Sequence, residues 1–495
     1  MKKISLVLFF MVFCFSHLYA RDNNIRKLSI EERARIISNF SVQPRSEKPA
    51  GNIYTPPEYA LSEGVLVTYS SYIKSYFSDI VEGVVSAEAI PYIIYEDSYF
   101  EDTKKDIINE VLIPAGIDEE DVVFIELSHN TYWVRDYAPW FVYENGKRAL
   151  INHNYKKPGA RPDDDNIPSE IGGLWNENVY STSFFTEGGN FMTDGAGTCW
   201  QSSKVFDNWS LSDGGGPKNP GWSEEDVKEL FENFLGCEVI IHTPYLPDEN
   251  TGHIDMFSKI INQDTILVGM SSSEYGASQN QIEFLDNIAD VYARTPKPNG
   301  EEWNIVRIPM VFENNVYYTY TNSLIVNNTV LVPQYGITSN GFDHDEDALK
   351  IYRELMPRHN IKGIYSGDVI KSGGAIHCTT MQVPPREHSR CGNGIIDDDE
   401  ECEKNYFAGK SCESFGYEYG ELRCKDCSFD FSECLKTKPD EDEYPDDYKD
   451  DDDSYQDKEK SDSDVFENNE NDDYISDDEK FISRESGCSC SMPLF

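Results

Sequence analysis

The chain is poor in positive charge. Its 495 residues include 43 lysines and arginines against 89 aspartates and glutamates, which gives a formal net charge of −46 at pH 7. A protein that binds nucleic acid needs clustered positive charge to neutralise phosphates, so this balance argues against a nucleic-acid partner. The negative field would attract a cationic substrate, although acidity more often serves solubility.

Long hydrophobic runs are also scarce. The only extended one lies in residues 1–20, "MKKISLVLFFMVFCFSHLYA", where two lysines precede an apolar run and a small residue ends it. This pattern predicts a secretory signal peptide, and the bulky Phe13 disfavours the alternative of a lipid anchor on Cys14. Because no other stretch reaches the length of a membrane span, we expect a secreted or cell-surface protein without one.

Composition divides the chain into six parts. Residues 440–480 carry 21 acidic and 4 basic side chains and few large aliphatic ones, a composition that predicts disorder. Cys488 and Cys490 resemble those of a C-terminal sorting tag, but the membrane helix and basic cluster of such tags are missing. The predicted parts are a signal peptide (1–20), a polar leader (21–53), a globular domain (54–388), a cysteine-rich segment (389–436), an acidic tail (437–484) and a cysteine-containing C-terminal segment (485–495).

Six of the 12 cysteines fall within the cysteine-rich segment. Since so short an exported segment cannot bury a large core, their even number predicts three disulfides. Cys424 and Cys427 form a CxxC pair, so a zinc site is the competing interpretation. In the globular domain, Cys199 and Cys237 could pair with each other, which would leave Cys378 as a single thiol.

Strand, tight turn, strand patterns recur along the globular domain and alternate with helical patterns. Helices are predicted over residues 223–235, capped by Ser223, and over residues 346–356. The alternation predicts an α/β fold, and its spacing suggests repetition about an axis, as in a propeller, without excluding an ordinary α+β domain. The four hairpin patterns are "WFVYENGKRALIN" (140–152), "GNFMTDGAGTCWQ" (189–201), "DMFSKIINQDTILVG" (255–269) and "SLIVNNTVLVP" (323–333).

Cys378 stands in "GGAIHCTTMQVP" (373–384), after a glycine turn and ahead of an apolar run. A buried, unpaired cysteine is most often just a small apolar residue. An exported protein, however, has reason to avoid free thiols. A lone cysteine with histidines and carboxylates elsewhere in the chain is therefore a candidate nucleophile.

Two further stretches supply partners for a nucleophile. If residues 253–260 form a strand, His253 and Asp255 share one face, as an acid/base element beside an anion or as a plain surface ion pair. In "TYWVRDYAPW", Asp136 stands among aromatic residues and needs a positive neighbour, which is either Arg135 or a cationic substrate. Asp136 and Asp255 together could accept the paired hydrogen bonds of a planar guanidinium.

Five motifs, taken in order, resemble the bacterial peptidylarginine deiminase and agmatine deiminase family: "WVRDYAPWFV", "EGGNFMTDG", "GHIDMFSKI", "TNSLIVNNTVLVP" and "GGAIHCTTMQVP". The resemblance spans residues 54–385 and implies that family's five-bladed α/β propeller, the pentein fold. We assign structural roles to Glu187, Gly188 and Gly189 of the second motif. The site residues that the resemblance implies are Cys378 as nucleophile, His253 as general acid/base, Asp136 and Asp255 as guanidinium-binding carboxylates, and Trp133 and Asn322 at the substrate.

The reaction that the resemblance implies is a deimination without metal or cofactor. The Cys378 thiolate attacks the guanidinium carbon, and His253 protonates the departing ammonia. His253 then activates the water that releases a ureido product. The positive substrate itself should favour the thiolate, because cationic surroundings lower the pKa of a cysteine.

The stretch "NYKKPGARPDDD" (154–165) bears on the choice of substrate. In the peptidyl subfamily that it resembles, two arginines grip a C-terminal carboxylate; here Arg161 keeps one position and Lys157 replaces the other, unless both belong to a solvated loop. Together with the signal peptide, this favours peptide-bound, C-terminal arginine as the substrate. The alternatives are agmatine deimination, amidino transfer to an amine, and a non-catalytic binding protein on the same scaffold.

Overall fold

Five sheets of three or four strands repeat one pattern in the computed structural model of the chain. In each sheet two strands pair antiparallel, and the chain passes from one of them through a helix to a strand that joins it in parallel. This alternation confirms the predicted α/β fold. In hydrogen-bonded order, the sheets are Ile53–Tyr54, Trp140–Glu144, Lys147–Asn154, Asn178–Phe185; Val239–Thr243, Thr198–Ser202, Phe191–Thr193; Ser258–Asn262, Thr265–Met270, Asn304–Glu313, Val316–Thr319; Leu324–Val326, Thr329–Gln334, Asn360–Tyr365; and Thr380–Val383, Gly64–Thr68, Ile90–Tyr95, Val123–Glu126.

The described part of the chain covers most of the globular domain and of the cysteine-rich segment. The predicted signal peptide, the acidic tail and the C-terminal segment lie outside it, as does Lys157. No helix in this part is both long and apolar enough to cross a membrane. The structure describes residues 47–97, 102–155, 160–207, 218–297, 300–336, 341, 343–389, 391–396, 400–404 and 406–436.

The helices bury one apolar face, and several begin at capping residues. Ser223 and Asp226 exchange side-chain-to-backbone hydrogen bonds at the start of Glu224–Leu235, which confirms this predicted helix and its cap. The helix predicted over residues 346–356 is confirmed as Asp345–Leu355. The other α-helices are Lys74–Ser86, Thr103–Ile107, Ile113–Ala115, Val134–Tyr137, Pro162–Trp175 and Gln279–Arg294; Ile108–Leu112 is a π-helix, and Ser71–Ile73, Glu119–Asp121, Gly188–Asn190, Ser203–Phe206, Ile254–Met256, Ile370–Ser372, His377–Thr379 and Cys412–Phe415 are 3₁₀-helices.

The four predicted hairpins are all present. Asn145, at φ 52°, and Gly146, at φ 78°, adopt the left-handed conformations that a tight two-residue turn requires. Local turn chemistry is thus sufficient to place these strand pairs. The hairpins pair Trp140–Glu144 with Lys147–Asn154, Phe191–Thr193 with Thr198–Ser202, Ser258–Asn262 with Thr265–Met270, and Leu324–Val326 with Thr329–Gln334.

The fifth sheet joins the two ends of the globular domain. Thr380–Val383, directly after Cys378, pairs antiparallel with Gly64–Thr68 near the start of the domain. All residues of both strands are buried. The pairing therefore ties the loop that carries Cys378 to the edge of a sheet, beside the strand Gly64–Thr68.

Apolar clusters fill the space between the sheets and the helices that pack on them. Trp200 and Tyr292 are the largest fully buried side chains of one cluster, and Tyr137 is that of a second. Cys378 belongs to the first cluster. Because protein interiors are close-packed, this surrounding fixes the position of the thiol.

Four disulfides join eight cysteines of the described residues. The pair Cys199–Cys237 is present as the sequence suggested. Cys424 and Cys427 belong to different disulfides, so neither sulfur remains as a thiolate ligand for zinc. The cysteine-rich segment contains Cys391–Cys427, Cys402–Cys424 and Cys412–Cys434.

Candidate active site

The thiol of Cys378 is buried, and the residue is 3% exposed. Gly373 turns the chain at a left-handed φ of 116°, and a 3₁₀ turn at His377–Thr379 then carries the cysteine. Asn322 fixes this loop, because its Oδ1 accepts hydrogen bonds from the backbone nitrogens of Ala375 (3.0 Å) and Cys378 (3.3 Å). Its Nδ2 lies 3.2 Å from the Cys378 sulfur, so Asn322 also orients the thiol.

His253 and Asp255 lie at the same site, but not on a strand. The strand considered over residues 253–260 is present only from Ser258, because Ile254–Met256 form a 3₁₀ turn. Since a 3₁₀-helix has about three residues per turn, side chains two apart do not share a face as they would in a strand. Asp255 nevertheless reaches the nucleophile, with its Oδ2 3.5 Å from the Cys378 sulfur.

Asp136 supplies the second carboxylate. It is 9% exposed, and its Oδ1 lies 3.5 Å from Nδ1 of His253. Arg135, the other residue considered as its positive neighbour, donates hydrogen bonds to the side chains of Glu58 and Gln382. The aspartate that the sequence singled out is therefore within reach of the candidate acid/base residue.

Glu187 contacts His253 directly, although the sequence analysis assigned it only a structural role. Its Oε2 lies 2.8 Å from Nε2 of His253, and both residues are buried. The imidazole thus has a carboxylate at each ring nitrogen, Glu187 at Nε2 and Asp136 at Nδ1. The only sequence feature that indicated this contact was the acidic residue at the start of "EGGN".

Gly189 lies where three of these side chains converge. A Cβ atom at this position would stand 2.6 Å from His253 Nδ1 and 3.1 Å from an oxygen of Asp136 and of Asp255. A separation of 2.6 Å is too short for any side chain, so glycine is required here by close approach. The prediction of a turn-shaping glycine missed this role.

Burial and charge set the protonation states at the site. Burial alone would lower the pKa of His253, but Asp136, Glu187 and Asp255 raise it to about 9, so the ring is an imidazolium at neutral pH. Burial raises the pKa of the Cys378 thiol well above its usual range, and Asp255 and Asp136 raise it further. Although burial opposes ionisation of Asp255, the hydrogen bond with His377 and the nearby side chains of His253 and Arg135 lower its pKa.

Trp133 borders the nucleophile. A Cβ atom at Gly374 would lie 2.6 Å from the Cys378 sulfur and 3.0 Å from the Trp133 ring. The ring also packs against Tyr132, with 4.6 Å between the ring centroids. An aromatic wall therefore stands beside the thiol, where it can contact the planar group of a substrate.

Arg161 is half-buried and donates a hydrogen bond to the hydroxyl of Tyr155. Burial would lower the pKa of this guanidinium, but Tyr155, Asp164 and Asp136 raise it. Its charge therefore lies close enough to Asp136 to interact with the site. Lys157, the other predicted cation, lies outside the described residues.

The site brings together a thiol, an imidazolium and two carboxylates. Oδ1 of Asp255 is buried and has no hydrogen-bond partner within the described part of the chain. A buried acceptor of this kind is unfavourable unless a bound group donates to it. A guanidinium donates such bonds in a planar array, and its electrophilic carbon would lie beside the nucleophile.

Comparison of the sequence with known families and proteins gives a consistent result. A model of the family described as Porphyromonas-type peptidyl-arginine deiminase matches residues 62–384. The chain is 25% identical over 297 residues to a protein assigned as an agmatine deiminase in Marinomonas sp. (strain MWYL1), which covers 54% of this chain and 77% of that protein. Over 295 residues it is 28% identical to a protein with the same assignment in Lactococcus lactis subsp. lactis (strain IL1403), covering 53% and 77%.

Solved structures of similar fold come from the same group of enzymes. A protein assigned as an arginine deiminase from Porphyromonas gingivalis matches with a TM-score of 0.58 at 21% identity, covering 68% of this chain and 100% of that one. The agmatine deiminase of Enterococcus faecalis matches with a TM-score of 0.56 at 20% identity, covering 68% and 96%. These likenesses concern the fold of the globular domain.

Proposed function

Because the chain belongs to the Porphyromonas-type peptidyl-arginine deiminase family, we propose that it hydrolyses a guanidinium group to a ureido group and ammonia. One observation carries this proposal. The buried Cys378 thiol lies beside the Asp255 carboxylate, and Asp255 and the His253–Glu187 pair converge at Gly189. A nucleophile, an acid and an anion at one point are the groups that substitution at a guanidinium carbon requires.

The reaction proceeds in two halves. The cationic substrate lowers the pKa of Cys378, whose thiolate attacks the guanidinium carbon and forms a carbon–sulfur bond. The imidazolium of His253 gives its proton to one amino nitrogen, the carbon–nitrogen bond breaks, and ammonia leaves a thiouronium behind. Water then attacks the same carbon, His253 accepts its proton, and the carbon–sulfur bond breaks to release the ureido product and restore the thiol.

We infer that the five sheets are the blades of a five-bladed propeller. Five copies of one pattern, an antiparallel pair followed by a helix and a parallel strand, support this arrangement. The similar solved structures support it too, since they cover most of the same domain. The residues of the site come from different repeats, as expected for a site at the axis of such a body.

We further propose that the substrate is peptide-bound arginine with a free C-terminal carboxylate. Arg161 supports this choice, because its guanidinium is a positive charge close enough to the site to interact with Asp136. Agmatine is the second candidate, because the matched relatives carry that name and agmatine needs no cation beyond its guanidinium. The four disulfides favour an oxidising compartment and thus support export by the predicted signal peptide.

A substrate panel tests these proposals. Agmatine, free arginine, a peptide with internal arginine and one with C-terminal arginine are offered, and ammonia and ureido product are measured. The C-terminal peptide should be the best substrate, and Arg161→Ala should reduce its kcat/KM by about tenfold or more while affecting agmatine much less. Cys378→Ala is the control that should abolish every turnover.

The panel separates the alternatives. Best activity on agmatine, together with an unaffected Arg161→Ala variant, would overturn the peptidyl proposal and leave the deiminase chemistry standing. Transfer of the amidino group to an added amine would identify an amidinotransferase. No turnover of any of the four compounds would indicate a binding protein.

A further inference from the structure

His377, the residue before the nucleophile, lies between two carboxylates. Its Nδ1 is 2.7 Å from Oδ2 of Asp255, and its Nε2 is 2.5 Å from Oε1 of Glu58. Ionised carboxylates only accept hydrogen bonds, so both ring nitrogens of His377 must carry a proton. The geometry thus requires a buried imidazolium at a residue that is 1% exposed.

Glu58 anchors the far end of this chain of contacts. Its two oxygens also receive Lys259 (2.5 Å) and Arg135 (3.5 Å), and both of these cations are buried. Burial opposes ionisation of Glu58, but the contact with His377 and the buried cations Lys259 and Arg135 hold its pKa well below the usual range. Glu58 is therefore an anion, and His377 cannot act as an acceptor toward it.

The contacts of Asp255 divide between its two oxygens. Oδ2 is held by His377 and lies beside the nucleophile. Oδ1 is buried without a hydrogen-bond partner among the described residues. Whatever fixes Oδ2 therefore also decides where Oδ1 points.

We propose that His377 is a positioning residue: as an imidazolium held by Glu58, it fixes Oδ2 of Asp255 and leaves Oδ1 to receive the substrate guanidinium. This inference rests on the proposed deiminase function for its catalytic consequence. The protonation of both ring nitrogens of His377 is inferred from its contacts with Asp255 and Glu58. Neither Glu58 nor His377 was among the residues that the motifs assign to the site.

Loss of the His377 cation changes the charge that Asp255 experiences. Among the described residues, the charged or titratable groups that face Asp255 include His377, His253, Arg135, Lys259, Cys378 and Asp136. Removal of the donor and charge of His377 leaves the carboxylate less stabilised, so its pKa should rise. The acid limb of the kcat/KM profile should then move to higher pH, since Asp255 must be ionised to bind the cation.

Two isosteric substitutions separate the two contacts. The amide nitrogen of His377→Asn occupies the place of Nδ1 and can still donate to Asp255, whereas that of His377→Gln occupies the place of Nε2 and reaches only Glu58. We expect kcat/KM to fall about tenfold in the Asn variant, which keeps the hydrogen bond to Asp255 but loses the charge and the contact with Glu58. The Gln variant should lose about a hundredfold or more, because its carboxylate is misplaced.

The acid limb of the kcat/KM profile is a second measurement on the same two His377 variants. It should move to higher pH in His377→Gln and less in His377→Asn, with thermal unfolding of both close to that of the wild type. Equal losses in the two variants with an unmoved acid limb would show a merely structural role. If the Gln variant does not fold, Glu58→Gln takes its place, and an unaltered profile there would overturn the proposal.

A measurement without turnover keeps this inference separate from the proposed function. ¹⁵N NMR of labelled histidines should show both ring nitrogens of His377 protonated at pH 7, with the resonances assigned by their loss in His377→Asn. A neutral tautomer would overturn the imidazolium. If the wild-type protein turns over no guanidine but shows this imidazolium, the proposed deiminase function is refuted. The contact of a charged His377 with Asp255 and Glu58 then still stands.

Discussion

His253 is the residue whose charge the site controls most closely. Its pKa of about 9 depends on the carboxylates of Asp136, Glu187 and Asp255, which outweigh the effect of burial. We expect Glu187→Gln to keep a hydrogen bond but remove one of these charges, so the pKa of His253 falls. The alkaline limb of the kcat/KM profile should move to lower pH by roughly one unit, and kcat/KM should fall roughly ten- to a hundredfold.

The control for this prediction is a loss of the same charge elsewhere. Glu229 is exposed on the helix Glu224–Leu235, and Glu229→Gln should leave both limbs in place. If Glu187→Gln also leaves the alkaline limb in place, another group than His253 controls it. Activity at pH 7 should fall in Glu187→Gln alone.

Single residues of the site were predictable where they belong to a recognisable sequence motif. They were not predictable where the fold brings together residues that are far apart in the sequence. Cys378, His253, Asp136 and Asp255 all lie at one site, as the motifs imply. Glu187 lies 66 residues from the histidine it contacts, and His377 lies 122 residues from Asp255. No local pattern reports contacts of such separation, and a histidine beside a cysteine has the same appearance whether it is structural or positioning.

At the scale of elements, turn chemistry was predictable and distant pairing was not. The hairpin at Asn145 and Gly146 follows from residues that accept positive φ, so its sequence is sufficient to place it. The pairing of Thr380–Val383 with Gly64–Thr68 joins opposite ends of the domain, and no turn sequence between the two strands predicts it. The 3₁₀ turn at Ile254–Met256, where a strand was considered, has a related cause. Alternating polar and apolar residues fit a strand, but they also fit a 3₁₀ turn whose polar side chains form tertiary contacts.

The turn Gly188–Asn190 gives a prediction of its own. Gly189→Ala would place a methyl group 2.6 Å from His253 Nδ1, so the imidazole or its carboxylate partners must move. We expect kcat/KM to fall about a hundredfold, because small displacements of catalytic groups have effects of this size. Thermal unfolding should change little, and the measurement is turnover together with a melting curve.

A glycine of the opposite kind serves as the control. Gly146 has φ 78° and open space around it, so Gly146→Ala strains the backbone far from the site. It should lower the free energy of unfolding by about 1 kcal/mol and leave kcat/KM unchanged. A Gly189→Ala enzyme with normal turnover would show that the site tolerates the shift and that close approach does not define it.

At the scale of the whole molecule, the cysteine-rich segment is bound to the globular domain by specific contacts. The backbone nitrogen of Leu61 donates to the carbonyl of Gly392 at 3.0 Å. Arg358 donates to the carbonyl of Leu422 at 2.8 Å, and its guanidinium lies 3.8 Å from the ring centroid of Phe407. The segment therefore packs against the domain as part of one surface, which its disulfide-rich composition alone does not reveal.

Truncation tests whether this segment contributes to catalysis or only to stability. Residues 386–389 belong with the domain, because the backbone nitrogens of Arg148 and His388 form hydrogen bonds with Arg386 and Gly146. A chain ending at residue 389 should keep kcat/KM within about twofold, since distant sites act independently, but should unfold at a lower temperature. In the full chain, Arg358→Ala should lower the free energy of unfolding by about 1 kcal/mol with unchanged turnover, because one cation–π contact and one hydrogen bond are lost. A folded truncated chain without activity would show that the cysteine-rich segment completes the site.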